Sequence, residues 1–299
     1  MITKQKKGII FVMLSALMFG TYGMWSRLIG NSFGAFYQGW TRALIISIIL
    51  LPILLWNKQI IPIHRKDWGW LTLFLFFTSL TQAPIFYAFN HMDIGSATLL
   101  FFVSMLLTMY AVGFLFLGEK ISKVKVLSFL LAAAGMYVIF SFSLVFFSLL
   151  AALLAIINGI ASGGEVSFSK KLSGNYSPLY ICWLSWIIIL ITNFPISLLM
   201  REVQYLPSFN AVWLYQLGYT MVSLLGFWLI IKGLKYTQAS TGGLIGLFEI
   251  VFSILLGIII FKEKLNLKII VGAILIIIAA ALPHIYNLLQ KSKRPHKRG

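Results

Sequence analysis

GSATLLFFVSMLLTMYAVGFLFLGEKISKVKVLSFLLAAAGMY, residues 95–137, and ASTGGLIGLFEIVFSILLGIIIFKEKLNLKIIVGAILIIIAAA, residues 239–281, together decide the fold. Each runs from small residues through an apolar span to a charged hinge, Gly118-Glu119-Lys120 or Lys262-Glu263-Lys264, and into a second apolar span. The hinges lie 144 positions apart, and the same offset lays Arg27-Leu28 on Lys171-Leu172, Gly20 on Gly164 and Gly34 on Pro178. The chain therefore reads as a duplication, with halves at 1–142 and 147–289 and a basic tail at 290–299. A five-helix unit is odd in number, so its second copy enters the membrane from the opposite side, as in inverted-repeat secondary transporters.

Working outward, 60% of the 299 residues are apolar, 10% are charged and the mean hydropathy is +0.94. A water-soluble domain would expose a large apolar surface at that composition, which excludes that class. Ten apolar spans of the length a bilayer core requires are predicted at 8–29, 34–56, 68–90, 95–117, 123–142, 147–169, 178–200, 210–232, 239–261 and 267–289. Continuous runs of this kind exclude a membrane β-barrel, so the fold class is all-α. The start, Met1 to Lys7, leads into the first span with no cleavage-site pattern, which predicts a retained helix.

The net charge of +17 points to anionic lipid headgroups and not to nucleic acid, because the basic residues follow the loops. Lys58, Arg65 and Lys66, then Lys120, Lys123 and Lys125, Lys170 and Lys171, Lys232 and Lys235, and both tails fall on one side of the predicted topology. Arg27, Arg201, Lys262, Lys264 and Lys268 fall on the other. The imbalance predicts that both termini lie in the cytoplasm. The lone cysteine, Cys182, excludes an intramolecular disulfide. No His, Cys and acid residues are spaced as metal ligands, and neither a metal nor a cofactor is implied.

Ionisable side chains inside spans are costly unless they face a partner or a wet cavity, so they are functional candidates. Three qualify: Glu249, about 15 Å into the ninth span by helix rise; Arg42, about 12 Å from the outer end of the second; and Glu165, about 8 Å from the inner end of the sixth. Gly242, Gly246, Glu249, Ser253 and Gly257 share one helical face, where the first half offers Thr98, Phe102, Met105, Met109 and Gly113. Polar stripes also run through Asn158, Ser162, Glu165 and Ser169, and through Gln216, Thr220 and Ser223 with Trp213 one turn away. Gln38 stands one turn above Arg42, and Ser79 shares a face with Gln82. Tyr22, Trp25, Tyr87, Trp183, Trp186, Trp213 and Tyr219 are aromatic candidates for the same cavity. Packing between helices accounts for small residues and for most single hydroxyls equally well. Arg42 is either a ligand-binding cation or a counter-ion to Glu249 or Glu165.

The ten-span layout, the Gly118-Glu119-Lys120 hinge and Leu247-Phe248-Glu249 in the ninth span resemble the EamA family of the drug/metabolite transporter superfamily. Two positions depart from that pattern, Lys262 where it favours Gly and Ile250 where it often has Pro. The resemblance implies a bacterial inner-membrane carrier, commonly an exporter of amino acids, related metabolites or drugs, some of them proton-coupled. A small-molecule substrate and a monomeric working unit go with it. The alternative is a membrane-embedded enzyme acting on a lipid or polyprenyl substrate, which requires convergent catalytic groups; Asp67, Asp93 and Glu202 are instead scattered singly.

Overall fold

The computed structural model describes residues 4–141 and 148–292, with side chains to 286; the expected join between the halves at 142–147 and most of the basic tail lie outside these residues. Among the described residues there are helices and no strands, and ten stretches are long and apolar enough to cross a membrane. Seven spans are unbroken: α3 (Ala35–Trp56), α6 (Ile94–Leu117), α7 (Lys123–Phe140), α8 (Leu149–Leu172), α9 (Pro178–Leu199), α10 (Ala211–Leu234) and α13 (Leu267–Ser292). Three are interrupted: the first into α1 (Lys4–Gly20) and α2 (Tyr22–Ile29), the third into α4 (Trp68–Ser79) and α5 (Ala83–His91), and the ninth into α11 (Ala239–Gly246) and α12 (Phe248–Phe261).

Packing follows the duplication. The first span lies on the eighth and ninth, the sixth on the third and fourth, the second on the seventh, and the fifth on the tenth. Exchanging each span for its counterpart five places along returns the same set of neighbours. Many large aliphatic side chains point outward, among them Ile48, Ile259 and Leu130, while inside, small residues at the closest helix contacts and polar ones sit among an apolar core. That arrangement suits a lipid solvent, in which burying Leu gains nothing and close backbone approach does. A Cβ on Gly135 would lie 2.8 Å from the Gly272 carbonyl, and one on Gly163 would lie 2.5 Å from that of Met105. These contacts lock the fifth span to the tenth and the sixth to the fourth.

Each break has a local cause. Pro84 has no N–H, so the Leu80 carbonyl four residues earlier loses its helical donor; Asn158 Nδ2 of α8 supplies one at 3.1 Å. The predicted shared face of Ser79 and Gln82 is thereby lost, since α4 stops at Ser79. In the first span the Thr21 hydroxyl bonds the Met18 carbonyl at 2.6 Å, and the Thr21 N–H closes a tight turn onto the same oxygen at 3.1 Å. In the ninth the chain tightens at Leu247, whose carbonyl accepts from Ile250 N at 3.0 Å, so a break forms beside Glu249 without a proline.

Candidate functional site

Two of these breaks face each other. A Cβ on Gly20 would sit 2.7 Å from Phe252 Cβ and 3.0 Å from the Glu249 carbonyl, so the kink of the first span rests directly on the start of α12. Tyr22 and Glu249 emerge on either side of that contact, close enough to interact electrostatically. Interrupted helices meeting inside a bundle are where secondary transporters build solute sites.

Arg42 of α3 completes the group and is 5% exposed. Its Nε donates to the Gln38 carbonyl at 3.1 Å, one terminal nitrogen donates to Ser223 Oγ at 3.5 Å, and its guanidinium carbon lies 3.9 Å from the centre of the Tyr219 ring. The Tyr219 and Tyr22 rings meet edge to face at 4.8 Å. Gln216 Nε2 donates to the Gln38 carbonyl at 2.9 Å and to Thr41 Oγ1 at 2.7 Å, while its Oε1 is buried without a partner. Arg42 thus has an aromatic face and neutral oxygens around it but no carboxylate: among the described residues it pairs with neither Glu249 nor Glu165. Glu249 forms no ion pair either and is half-buried.

Five predicted residues, Tyr22, Gln38, Arg42, Gln216 and Glu249, surround this junction, Trp25 and Trp213 share the cluster of Tyr22 and Tyr219, and the others lie elsewhere. Glu165 lies among the third, sixth and seventh spans and accepts from Ser185 Oγ at 2.7 Å. Asn158 serves the Leu80 carbonyl, and Ser162 is half-buried with no hydrogen bond among the described residues. Gln82 approaches Gly39 beside Asn193. Trp186 is buried in the apolar core around Cys182. Trp25 lies against Gly218 and donates to Thr21 Oγ1 at 3.2 Å. Trp213 packs on Phe33 at 5.2 Å, beside a cavity of about 300 Å³ at the mouth of the bundle also lined by Tyr205 and Asn210.

The sequence singled out Tyr219 and Ser223 only as an aromatic and a stripe residue, yet they are the direct partners of Arg42. It quoted Glu119 as a hinge and gave it no task. Glu119 is 6% exposed: one carboxylate oxygen accepts from Lys170 Nζ at 2.7 Å and Ala239 N at 2.5 Å, the other from Ser240 N at 3.2 Å and Ser240 Oγ at 2.9 Å. The hinge of the first half thus caps the helix that leads to Glu249 in the second, where an anion complements the helix dipole. Burial disfavours the charge on Glu119, but Lys170 and the two N–H groups outweigh it and hold the carboxyl below its ordinary range. Lys125 Nζ, which donates to Gln238 Oε1 at 2.6 Å and Ser240 Oγ at 2.7 Å, closes the same end. At the opposite end Glu263 pairs with Arg27 at 2.6 Å, with both side chains more than half exposed. Arg27 also covers the Phe261 ring at 4.2 Å, over a cavity of about 160 Å³ that reaches Gly23, next to Tyr22, and Ser253, one turn from Glu249.

The chain is similar over 302 residues to a protein of Clostridium kluyveri named only as an uncharacterized transporter, with 22% identity, covering 95% of this chain and 94% of that one. A crystal structure of a protein superposes with a TM-score of 0.78 at 16% identity, covering 93% of this chain and 98% of that chain, which shows a shared fold. The model of the EamA-like transporter family matches twice in succession, at residues 6–141 and 149–283, so each half is a copy of the family's unit. On that evidence this multi-pass membrane protein belongs to the EamA-like transporter family, within the drug/metabolite transporter superfamily.

Proposed function

We propose that the protein is a secondary carrier that exports small organic solutes, amino acids and related metabolites or drugs among them, across the inner membrane by alternating access of two inverted halves. The observation that carries this reading is that Arg42 packs on Tyr219, which meets Tyr22, at the junction where Gly20 of the interrupted first span rests on the Glu249 backbone of the interrupted ninth, and that neither Arg42 nor Glu249 has an ion-pair partner among the described residues. A buried guanidinium without a carboxylate is costly unless a ligand anion completes it at some stage of the cycle. Tyr219 and Tyr22 give the site aromatic faces, so a solute bearing a carboxylate, an ammonium or both fits it best.

In this reading both termini are cytoplasmic, which places the sealed Glu119 end inside and the looser Arg27–Glu263 end outside. The 1–142 and 147–289 units move as the two halves, the molecule works as a monomer, and the basic loops contact anionic headgroups. The test is flux through purified protein in liposomes, screened over amino acids, amines and sugars with and without a pH gradient. Saturable, protein-dependent flux of a charged or zwitterionic solute is expected. No protein-dependent flux of any member would overturn the reading.

A further inference from the structure

The starts of α6 and α11 are counterparts across the offset of 144, yet they are capped in different ways. At the start of α11 the Glu119 carboxylate, from the hinge of the other half, receives the N–H groups of Ala239 and Ser240 and the Ser240 hydroxyl, with Lys170 Nζ at 2.7 Å beside it. Thr237 stands at that turn but does not cap it: among the described residues its buried hydroxyl has no partner. At the start of α6 the offset puts Asp93 where Thr237 stands, and Asp93 is a local cap, its Oδ2 accepting from Ser96 N at 2.8 Å. Gly95 and Ser96 stand where Ala239 and Ser240 do, and Glu263 where Glu119 does. Glu263 also has the posture of Glu119. Its N–H bonds the Gly257 carbonyl at 3.2 Å, and its carboxylate lies over that glycine, where a Cβ would come within 2.5 Å of Oε2. Its own turn is thus already shaped to cap a facing helix, while in this conformation its carboxylate is held by Arg27 at 2.6 Å.

Resting on the carrier reading above, we infer that Glu263 is the latch of the opposite conformation: when the Arg27–Glu263 end closes, its carboxylate caps α6 at Gly95 and Ser96 in place of Asp93, as Glu119 now caps α11. A helix start presents unsatisfied N–H groups and a partial positive charge, so it takes a carboxylate or hydroxyl from either source. The exchange keeps both helix starts capped throughout: Asp93 serves α6 while that end is open, and the Thr237 hydroxyl serves α11 once Glu119 withdraws. The charges at the two ends differ. Glu119 arrives beside a neutral threonine with Lys170 as its cation, whereas Glu263 meets the Asp93 carboxylate, and two anions at one turn repel. Arg27, one position on from the counterpart of Lys170, already accompanies Glu263 and supplies the cation that this end requires. Asp93 thereby sets the balance between the two closed ends, since it caps α6 in the open state and opposes Glu263 in the closed one.

The experiment measures a distance in the full-length protein in lipid. Nitroxide labels are placed at Ile94→Cys and Leu265→Cys, exposed positions beside the proposed contact, with the buried Cys182 replaced by alanine. Double electron–electron resonance reads their separation. A distance shorter than this conformation gives is expected to gain population severalfold in Glu119→Gln, which frees the other end, and in Asp93→Thr, which gives α6 the neutral neighbour that α11 has. Adding Glu263→Ala should abolish both gains. Gains that persist with Glu263→Ala, or no shorter distance in any variant, overturn the assignment. Should Glu119→Gln fail to fold, Asp93→Thr with and without Glu263→Ala decides: equal short-distance populations sink the proposal. The distances need no transport, so a failed flux screen beside a Glu263-dependent closure rejects the carrier reading and leaves the latch standing.

Discussion

Glu119 and Glu263 occupy the same place in two copies of one hinge, yet they hold different partners. Each backbone N–H bonds the carbonyl of a glycine six residues earlier, Gly113 at 2.9 Å and Gly257 at 3.2 Å, and each carboxylate folds back over that glycine. Glu119 reaches across to Ala239, Ser240 and Lys170 in the other half, whereas among the described residues Glu263 pairs with Arg27 alone, in the solvent-exposed rim. In the proposed carrier cycle, this asymmetry would let one conformation seal one end and leave the other free to open.

Glu119→Gln should therefore lower thermal stability much more than Glu263→Gln. The first removes the anion from a buried cation and a helix N-terminus, costing about 2–4 kcal/mol. The second breaks an exposed, water-screened pair worth less than about 1 kcal/mol. Unfolding midpoints in one detergent compare the two directly, and equal losses would contradict the latch.

Acid should loosen the same latch. Because the folded protein holds Glu119 below its ordinary range, its contribution is fully present above the unfolded value and is lost as the pH falls through the folded one. Normalised to free cysteine at the same pH, to remove the loss of thiolate in acid, a Thr237→Cys side chain, 6% exposed in the native threonine, should label slowly at neutral pH and faster below the usual carboxylate range. Glu119→Gln should label fast at both. A rate independent of pH in the unsubstituted hinge counts against this account.

Asn158→Ala should destabilise the protein by about 1–3 kcal/mol, since the Leu80 carbonyl is left buried without a donor. Adding Pro84→Ala restores an N–H to that carbonyl, so the double variant should regain stability relative to Asn158→Ala. Strict additivity of the two losses would show that the asparagine does something else.

Much of this was legible in the sequence and some was not, for physical reasons. Span number and the duplication follow from apolar run length and from a constant offset, which lipid and gene copying impose on every residue. Arg42, Gln38 and Glu249 declared themselves because charge and amide groups have no place in hydrocarbon. The breaks were harder to read. Pro84 is visible as a letter, but its orphaned carbonyl and the Asn158 that serves it are 78 residues apart in the chain. Nothing in the first span marks Thr21, one hydroxyl among several. The latch partners of Glu119 come from two other spans, so a motif read along the chain shows a hinge and not a cap.

Gly20→Val tests the contact between the broken spans. Its side chain would have to enter space held by Phe252 Cβ and the Glu249 backbone, at an overpacking cost of about 1–3 kcal/mol. Loss of solute flux with a folded protein in the membrane is the expected result. Unchanged flux would mean that the two kinks need not touch.

The most direct measurement is solute exchange by purified protein in liposomes, comparing wild type with Arg42→Gln and Glu249→Gln at matched reconstitution, using whichever charged solute the screen identifies. The account predicts at least a roughly tenfold fall with each substitution, as loss of one charge-assisted contact worth more than about 1.4 kcal/mol requires. It also predicts that the Arg42 variant fails chiefly on solutes with a carboxylate. Exchange undiminished in both variants would contradict the assignment of this junction as the solute site.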